Sequence, residues 1–149
     1  MNRKSLLSPP VMFVFIMLIA ISLVFMIVLI TASTEVNPEM TPENYNQRGA
    51  QLVAMGDAVN GEALLAPKTC ATCHHSGVGS VGPAFDGIAD IAATLRPGFT
   101  AEGYLLQSIL DPGAYIYEGY QNVMPALNSI LSDQELADIM AYLMTLHAQ

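Results

Sequence analysis

Cys70-Ala71-Thr72-Cys73-His74 is the stretch from which the fold of this chain is read. At the spacing C-x-x-C-H, two thiols can each bond a vinyl group of one porphyrin, and the histidine after the second thiol is then held beneath the iron. One covalently bound haem c is the expected cofactor, with Cys70 and Cys73 attaching it and His74 as an iron ligand. A bare C-x-x-C also suits a thioredoxin-like redox pair, half a zinc site or a strained disulfide. These are the only cysteines, so a zinc site would have to draw on His75 and His147, which give no finger spacing. A redox pair belongs beside a βαβ pattern, and the flanking sequence has no alternating strand run.

On either side of the motif the chain reads as helices and loops. Thr41-Pro42-Glu43 supplies a capping hydroxyl, a proline for the first helical position and an acid near the positive end of the dipole. One or two helices through about Leu65 follow, with an interruption near Gly56-Asp57 where Asp57 can cap the second. His75 to Asp86 holds Gly77, Gly79, Gly82 and Pro83, which predicts a loop around the cofactor. Short helices are predicted over 88–95 and, capped by Thr100, over 101–110, the latter stopping at Asp111-Pro112. Ser132-Asp133-Gln134-Glu135 is a capping box. The helix it opens carries Leu136, Ile139, Met140, Leu143 and Met144 at helical spacing, so one face is buried. Residues 42–149 form one all-α domain on this reading, large enough for a modest core that a porphyrin would enlarge.

The amino-terminal part is of another kind. From Val11 to Ile30 every residue except Ser22 is apolar, and about twenty helical residues match a bilayer's hydrocarbon thickness. We expect a cytoplasmic tail at 1–10, a single transmembrane helix at 11–31 and a linker at 32–41. Ser8 can cap that helix, with Pro9 or Pro10 in its first turn. Arg3 and Lys4 precede the span and Glu35, Glu39 and Glu43 follow it, which orients the domain to the extracytoplasmic, periplasmic side of the cell membrane. A cleaved secretory signal is the competing account, although signal cores run only about 7–15 apolar residues.

Beyond the span, Arg48, Lys68 and Arg96 stand against all thirteen acids, a formal −10. That balance gives no support for nucleic-acid binding. It suits a partner with a basic face, or apolar docking.

The iron's other axial position has the candidates Met40, Met55, Met124, Met140, Met144, His75 and His147. His75 is tied to the residue beneath the iron and cannot cross. Met140 and Met144 sit four apart on an amphipathic helix and read as core. Met124 lies in an irregular stretch and precedes Pro125, which stiffens the approach. Met124 is favoured, with His147 or an open site as alternatives.

At this point the chain resembles the class I monohaem cytochromes c. The resemblance covers about residues 57–149 and rests on Gly61-Glu62-Ala63-Leu64, Gly82-Pro83, Met124-Pro125 and Asp138-Ile139-Met140-Ala141-Tyr142-Leu143, in family order around the motif. It implies the class I cytochrome c fold, a methionine sulfur from Met124 as sixth ligand, and a Pro83 carbonyl accepting the axial histidine's N–H. It also implies a crossing of first and last helices at Gly61 and Leu65 against Ile139 and Tyr142. Three features depart from the family. Leu65 replaces an aromatic, no tryptophan is available for a haem propionate, leaving Arg96 or a tyrosine, and the docking lysines of mobile cytochromes c are missing.

One span followed by one haem domain is further similar to the monohaem cytochrome subunit of bacterial alternative complex III. The function this implies is non-catalytic relay of single electrons within or from a respiratory or photosynthetic quinol-oxidising complex. Its partners would be the membrane, the complex's other subunits and a downstream electron acceptor. A cytochrome subunit of a terminal oxidase, a haem peroxidase, or a redox sensor with a displaceable methionine are the alternatives.

Overall fold

The computed structural model describes residues 9–33 and 40–148. It divides into two units, one up to Glu39 and one from Met40 onward. Among the described residues there are helices and no strands.

In the first unit a single helix, α1, runs Pro9–Ser33. At 25 residues it rises about 37 Å, more than a hydrocarbon layer. The prolines fall at its very start, where no intrahelical N–H is needed, so the helix begins two residues before the expected span and ends two after it. Ala32 and Ser33, expected in the linker, are therefore helical. The window Pro9–Leu29 has a mean hydropathy of 3.2 and none of it is buried, which is long and apolar enough to cross a membrane and also meets the description of a secretion signal. Of the tail expected at 1–10, Pro9 and Pro10 are helical, while residues 1–8, with Ser8, Arg3 and Lys4, and the linker residues 34–39 lie outside the described residues.

The second unit follows the capping signals closely. Helix α2 spans Pro42–Met55 and Thr41 accepts from the Asn44 amide. After Gly56, α3 spans Ala58–Leu65 with Asp57 accepting from the amides of Val59 and Asn60. A single turn, α4, covers Cys70–Cys73. Helix α5 runs Ile88–Leu95, and α6 runs Ala101–Leu110 behind the Thr100 cap. A 3-10 turn at Pro112–Ala114 precedes α7, Asp133–Leu143, whose Ser132–Glu135 capping box is complete.

These helices meet around one core. α3 lies along α7, α2 packs on both α6 and α7, and α5 packs on α6. Leu52, Leu65, Ile88, Leu106, Ile139 and Met140 are buried in it, and Met40, Met124 and Met144 pack against its edge. The α3–α7 crossing is tight because Gly61 carries no side chain. A methyl there would run into the Asp138 carbonyl and the Tyr142 Cβ, so the backbone met at this crossing is that of Asp138 rather than Ile139.

Asp138 itself is buried, and its Oδ1 accepts from the Asp57 amide at 2.8 Å and from Gln134 Nε2 at 2.7 Å. It thereby fastens the α2–α3 turn to α7. Truncating a buried acceptor strands its donor, at a cost of about 1–3 kcal/mol. Asp138→Ala should lower the unfolding free energy by that order, and Asp138→Asn, which retains the oxygen, by clearly less; denaturant titration of the holoprotein checks the difference.

Candidate haem site

Segments from the whole length of the domain enclose one apolar cavity of about 340 Å³, within the rough 300–1,000 Å³ span of cofactor pockets. Leu65 closes it from α3, the motif turn supplies Cys70, Cys73 and His74, and Gly82-Pro83 come from the following loop. Tyr104 and Leu105 come from α6, Met124 from the stretch after it, and Ile139 and Leu143 from α7. Met124 and His74 thus share one cavity. His147, the alternative ligand, does not line it; its Nδ1 meets Asp90 Oδ1 at 2.6 Å.

The motif geometry has local causes. Thr69 adopts a left-handed backbone, φ 61°, immediately before Cys70, a conformation costing an L-residue roughly 1–2 kcal/mol. That turn directs the chain from the end of α3 into α4, whose single turn brings Cys70 and Cys73 to the same cavity. Both thiols are free and partly exposed. Burial raises the Cys70 thiol above its ordinary range, with small lowering contributions from its own backbone and from Lys68.

His74 is held by the loop that follows it. Its Nδ1 lies 2.8 Å from the Pro83 carbonyl oxygen, and a carbonyl only accepts, so Nδ1 carries the proton and Nε2 keeps a free lone pair. The Phe85 ring stacks on the imidazole at 4.7 Å and 7°. A Cβ at residue 82 would sit 2.6 Å from His74 Cε1, so glycine is what lets the loop pass the ring. Ser80 Oγ donates within the same loop, to the carbonyls of Cys73 and Gly82.

Two tyrosines mark a more polar side. Tyr104 and Tyr115 line the cavity with their rings 6.0 Å apart, edge to face. Desolvation raises the Tyr104 phenol, which stays neutral. Behind Tyr115 the Arg96 guanidinium lies 5.6 Å from its ring centroid and 4.6 Å from that of Phe99. Arg96 Nη1 is buried and has no hydrogen-bond partner among the described residues.

The residues present fit a covalent haem. Two thiols outside any disulfide and an imidazole with a bare Nε2 share a greasy cavity, and behind its Tyr115 wall Arg96 has one buried N–H without a hydrogen-bond partner, suited to a carboxylate. No group of three or more His, Cys, Asp or Glu side chains gathers among the described residues to hold a bare metal ion. Sequence reasoning assigned no role to Lys68, although it lines the cavity. Its Nζ reaches Glu135 Oε1 at 2.6 Å, binding the motif turn to the cap of α7.

Residues 58–147 match the family model described as cytochrome c, more than half of the chain. No curated protein matches, and no solved structure does.

Glu135 is the group whose titration the geometry controls. The Lys68 ammonium first, then the Ser132 amide and hydroxyl, hold its carboxyl down to about 2 from an ordinary 4.5. A folded-state pKa below the unfolded one stabilises the fold at pH values above the unfolded pKa, and the contribution is lost as pH falls through the folded one. Denaturant midpoints should therefore decline between pH 4.5 and about 2, and Glu135→Gln should flatten that part of the profile while lowering the midpoint at neutral pH.

Proposed function

The chain belongs to the cytochrome c family, an electron-transfer haem protein with one covalently bound haem c, and on that premise we propose that it is a membrane-anchored relay within a quinol-oxidising complex of the alternative complex III type. The observation that carries the relay reading is the joint presence of His74, with its Nε2 free, and Met124 in one apolar cavity. When bound, the haem supplies an iron that changes by one electron.

The rest is the work of the chain. Cys70 and Cys73 would hold the porphyrin through thioether bonds, and His74 and Met124 would serve as its two axial ligands. Pro83 keeps the imidazole in one tautomer and orientation and raises its basicity, as outer partners of metal-bound histidines do. With both His74 and Met124 holding the iron, no site on it would remain for a substrate, which suits relay over oxidation or peroxidation. Methionine ligation and an apolar surround both favour the less charged ferrous state. Arg96 would pair with a haem carboxylate, taking the place of the missing tryptophan.

Support for the anchor is α1, whose described side chains are exposed and apolar along its length. Orientation follows from Arg3 and Lys4 before it and the acids after it, with the haem domain periplasmic. An anchored relay meets its partners at high effective concentration, which suits a chain without docking lysines. Apolar Val78, Val81 and Val123 are exposed on the segments flanking the cavity and would form the rim that a donor or acceptor approaches.

Met124→Ala should change the absorption spectrum and lower the reduction potential of purified holoprotein; an unaltered spectrum and potential would refute Met124 as ligand. Cys70→Ser should lose one thioether and most holoprotein, read as covalent haem on a denaturing gel. Purification in mild detergent with mass spectrometry of the co-eluting chains tests the complex. Multihaem and iron–sulfur companions are expected, and copper-containing ones would point instead to a terminal oxidase.

A further inference from the structure

Helix α2 ends before the stretch that matches the cytochrome c family begins at residue 58, yet it is built into the core through the buried Tyr45 and Leu52. Its contact with the start of α6 is backbone against backbone. A Cβ on Gly49 would lie 2.6 Å from the Glu102 carbonyl oxygen, and one on Gly103 would strike Asn46. This closeness lets the Asn46 side chain span the turn between α5 and α6. Its Nδ2 donates to the Gly98 carbonyl at 3.0 Å, and its Oδ1 accepts from the Thr100 amide at 2.9 Å and the Thr100 hydroxyl at 3.4 Å.

The turn so bridged is the one that carries Arg96. Tyr45, next to Asn46, places its ring 6.0 Å from Phe99, and Phe99 is the ring over which the Arg96 guanidinium lies. Beyond Arg96 stands Tyr115, part of the cavity wall. A chain of contacts therefore runs from α2 to the haem cavity, and it ends on a buried cationic N–H with no partner of its own. Leaving such a donor unsatisfied is costly, and holding a long side chain in one rotamer costs conformational entropy. Ring faces alone give little directional hold, so the backbone beneath Arg96 has to be fixed.

We propose that Asn46 is a positioning residue for the haem: by bridging Gly98 to Thr100 it fixes the 96–100 turn and holds the Arg96 cation against the cavity wall, where that charge raises the reduction potential. This rests on the reading of Arg96 as the partner of a haem carboxylate. A positive charge near the iron disfavours the more positive ferric state, and in an apolar interior the effect is weakly screened. Without the bridge, the turn keeps the Thr100 cap, the Phe99 amide's bond to the Arg96 carbonyl at 3.2 Å and the Tyr45–Phe99 contact, but loses the side chain that ties Gly98 to Thr100 from α2, and Arg96 gains freedom to move toward water.

The test compares full-length holoproteins carrying Asn46→Ala, Arg96→Gln and both, by reduction potential, thermal unfolding and absorption spectrum. Asn46→Ala should lower the potential by roughly half or more of the Arg96→Gln shift, and should add little once Arg96 is already gone, as coupled positions do. A lowered unfolding temperature with a wild-type potential would make Asn46 merely structural and overturn the proposal. So would an equal downward shift in both backgrounds. If Arg96→Gln leaves the potential unmoved, the role of Arg96 falls and the proposal with it; if Arg96→Gln lowers the potential but Asn46→Ala does not, only the positioning role falls. Should Asn46→Ala yield no holoprotein, Asn46→Asp keeps the acceptor for Thr100 and loses the donor to Gly98. Its new charge acts in both Arg96 backgrounds, so the difference between backgrounds reads positioning alone.

Discussion

The hydrogen bond from His74 Nδ1 to the Pro83 carbonyl is the contact on which the site depends. A neutral imidazole has two nitrogens and one proton, and this bond decides where the proton sits. With Nδ1 engaged, Nε2 is bare and the ring plane is set. The bond in turn requires the loop to pass close by, which Gly82 permits by offering no side chain to the ring, and requires the loop to stay there, which Ser80 ensures by bridging the Cys73 and Gly82 carbonyls. Phe85 then packs flat on the imidazole. Four residues after the motif, Ser80, Gly82, Pro83 and Phe85, thus hold the His74 ring in one orientation.

The helices serve this site by holding its walls at fixed spacing. The motif turn hangs from the end of α3, so any slip of α3 along α7 would displace both thiols. Two independent fastenings resist that slip, the Gly61 crossing with its Asp138 bond to the α2–α3 turn and the Lys68–Glu135 ion pair at the other end of α3. An ion pair between partly exposed side chains contributes little by itself. Its value here is geometric, because Glu135 already belongs to a capping box and so is fixed before Lys68 meets it.

Local signals were legible in the sequence and distant ones were not. Thr41, Asp57, Thr100 and Ser132 announced four helix starts correctly because a cap is a contact within three residues. The loop at 75–86 was plain from its glycines. The one-turn helix α4 and the 3-10 turn at 112–114 were missed, since three or four residues are too few to show a period. Asp138 read as part of a family motif without a role, because an acid on an amphipathic helix looks solvated until the amide that faces it, 81 residues away in sequence, is known. Arg96, or a tyrosine, was a candidate for a haem carboxylate only through the family resemblance, and its place behind Tyr115, like the contacts that join its turn to α2, is a tertiary fact. The haem cavity was inferred from five residues, whereas much of its wall is ordinary leucine, isoleucine and tyrosine that any core would use.

The charge balance agrees physically with the anchored reading. A relay that diffuses between partners gains from long-range steering, which needs a dense field of one sign around the exposed cofactor edge. This domain has three basic residues, Arg48 beside Asp133, Lys68 paired with Glu135, and Arg96 half-buried against aromatic rings. One exposed arginine among many acids makes no dense positive field to steer with. Confinement beside a fixed partner removes the need, since effective concentration then replaces attraction, and a weak apolar contact that breaks easily serves turnover better than a tight one. On the anchored reading, an uncharged rim of Val78, Val81 and Val123 is what such a contact calls for.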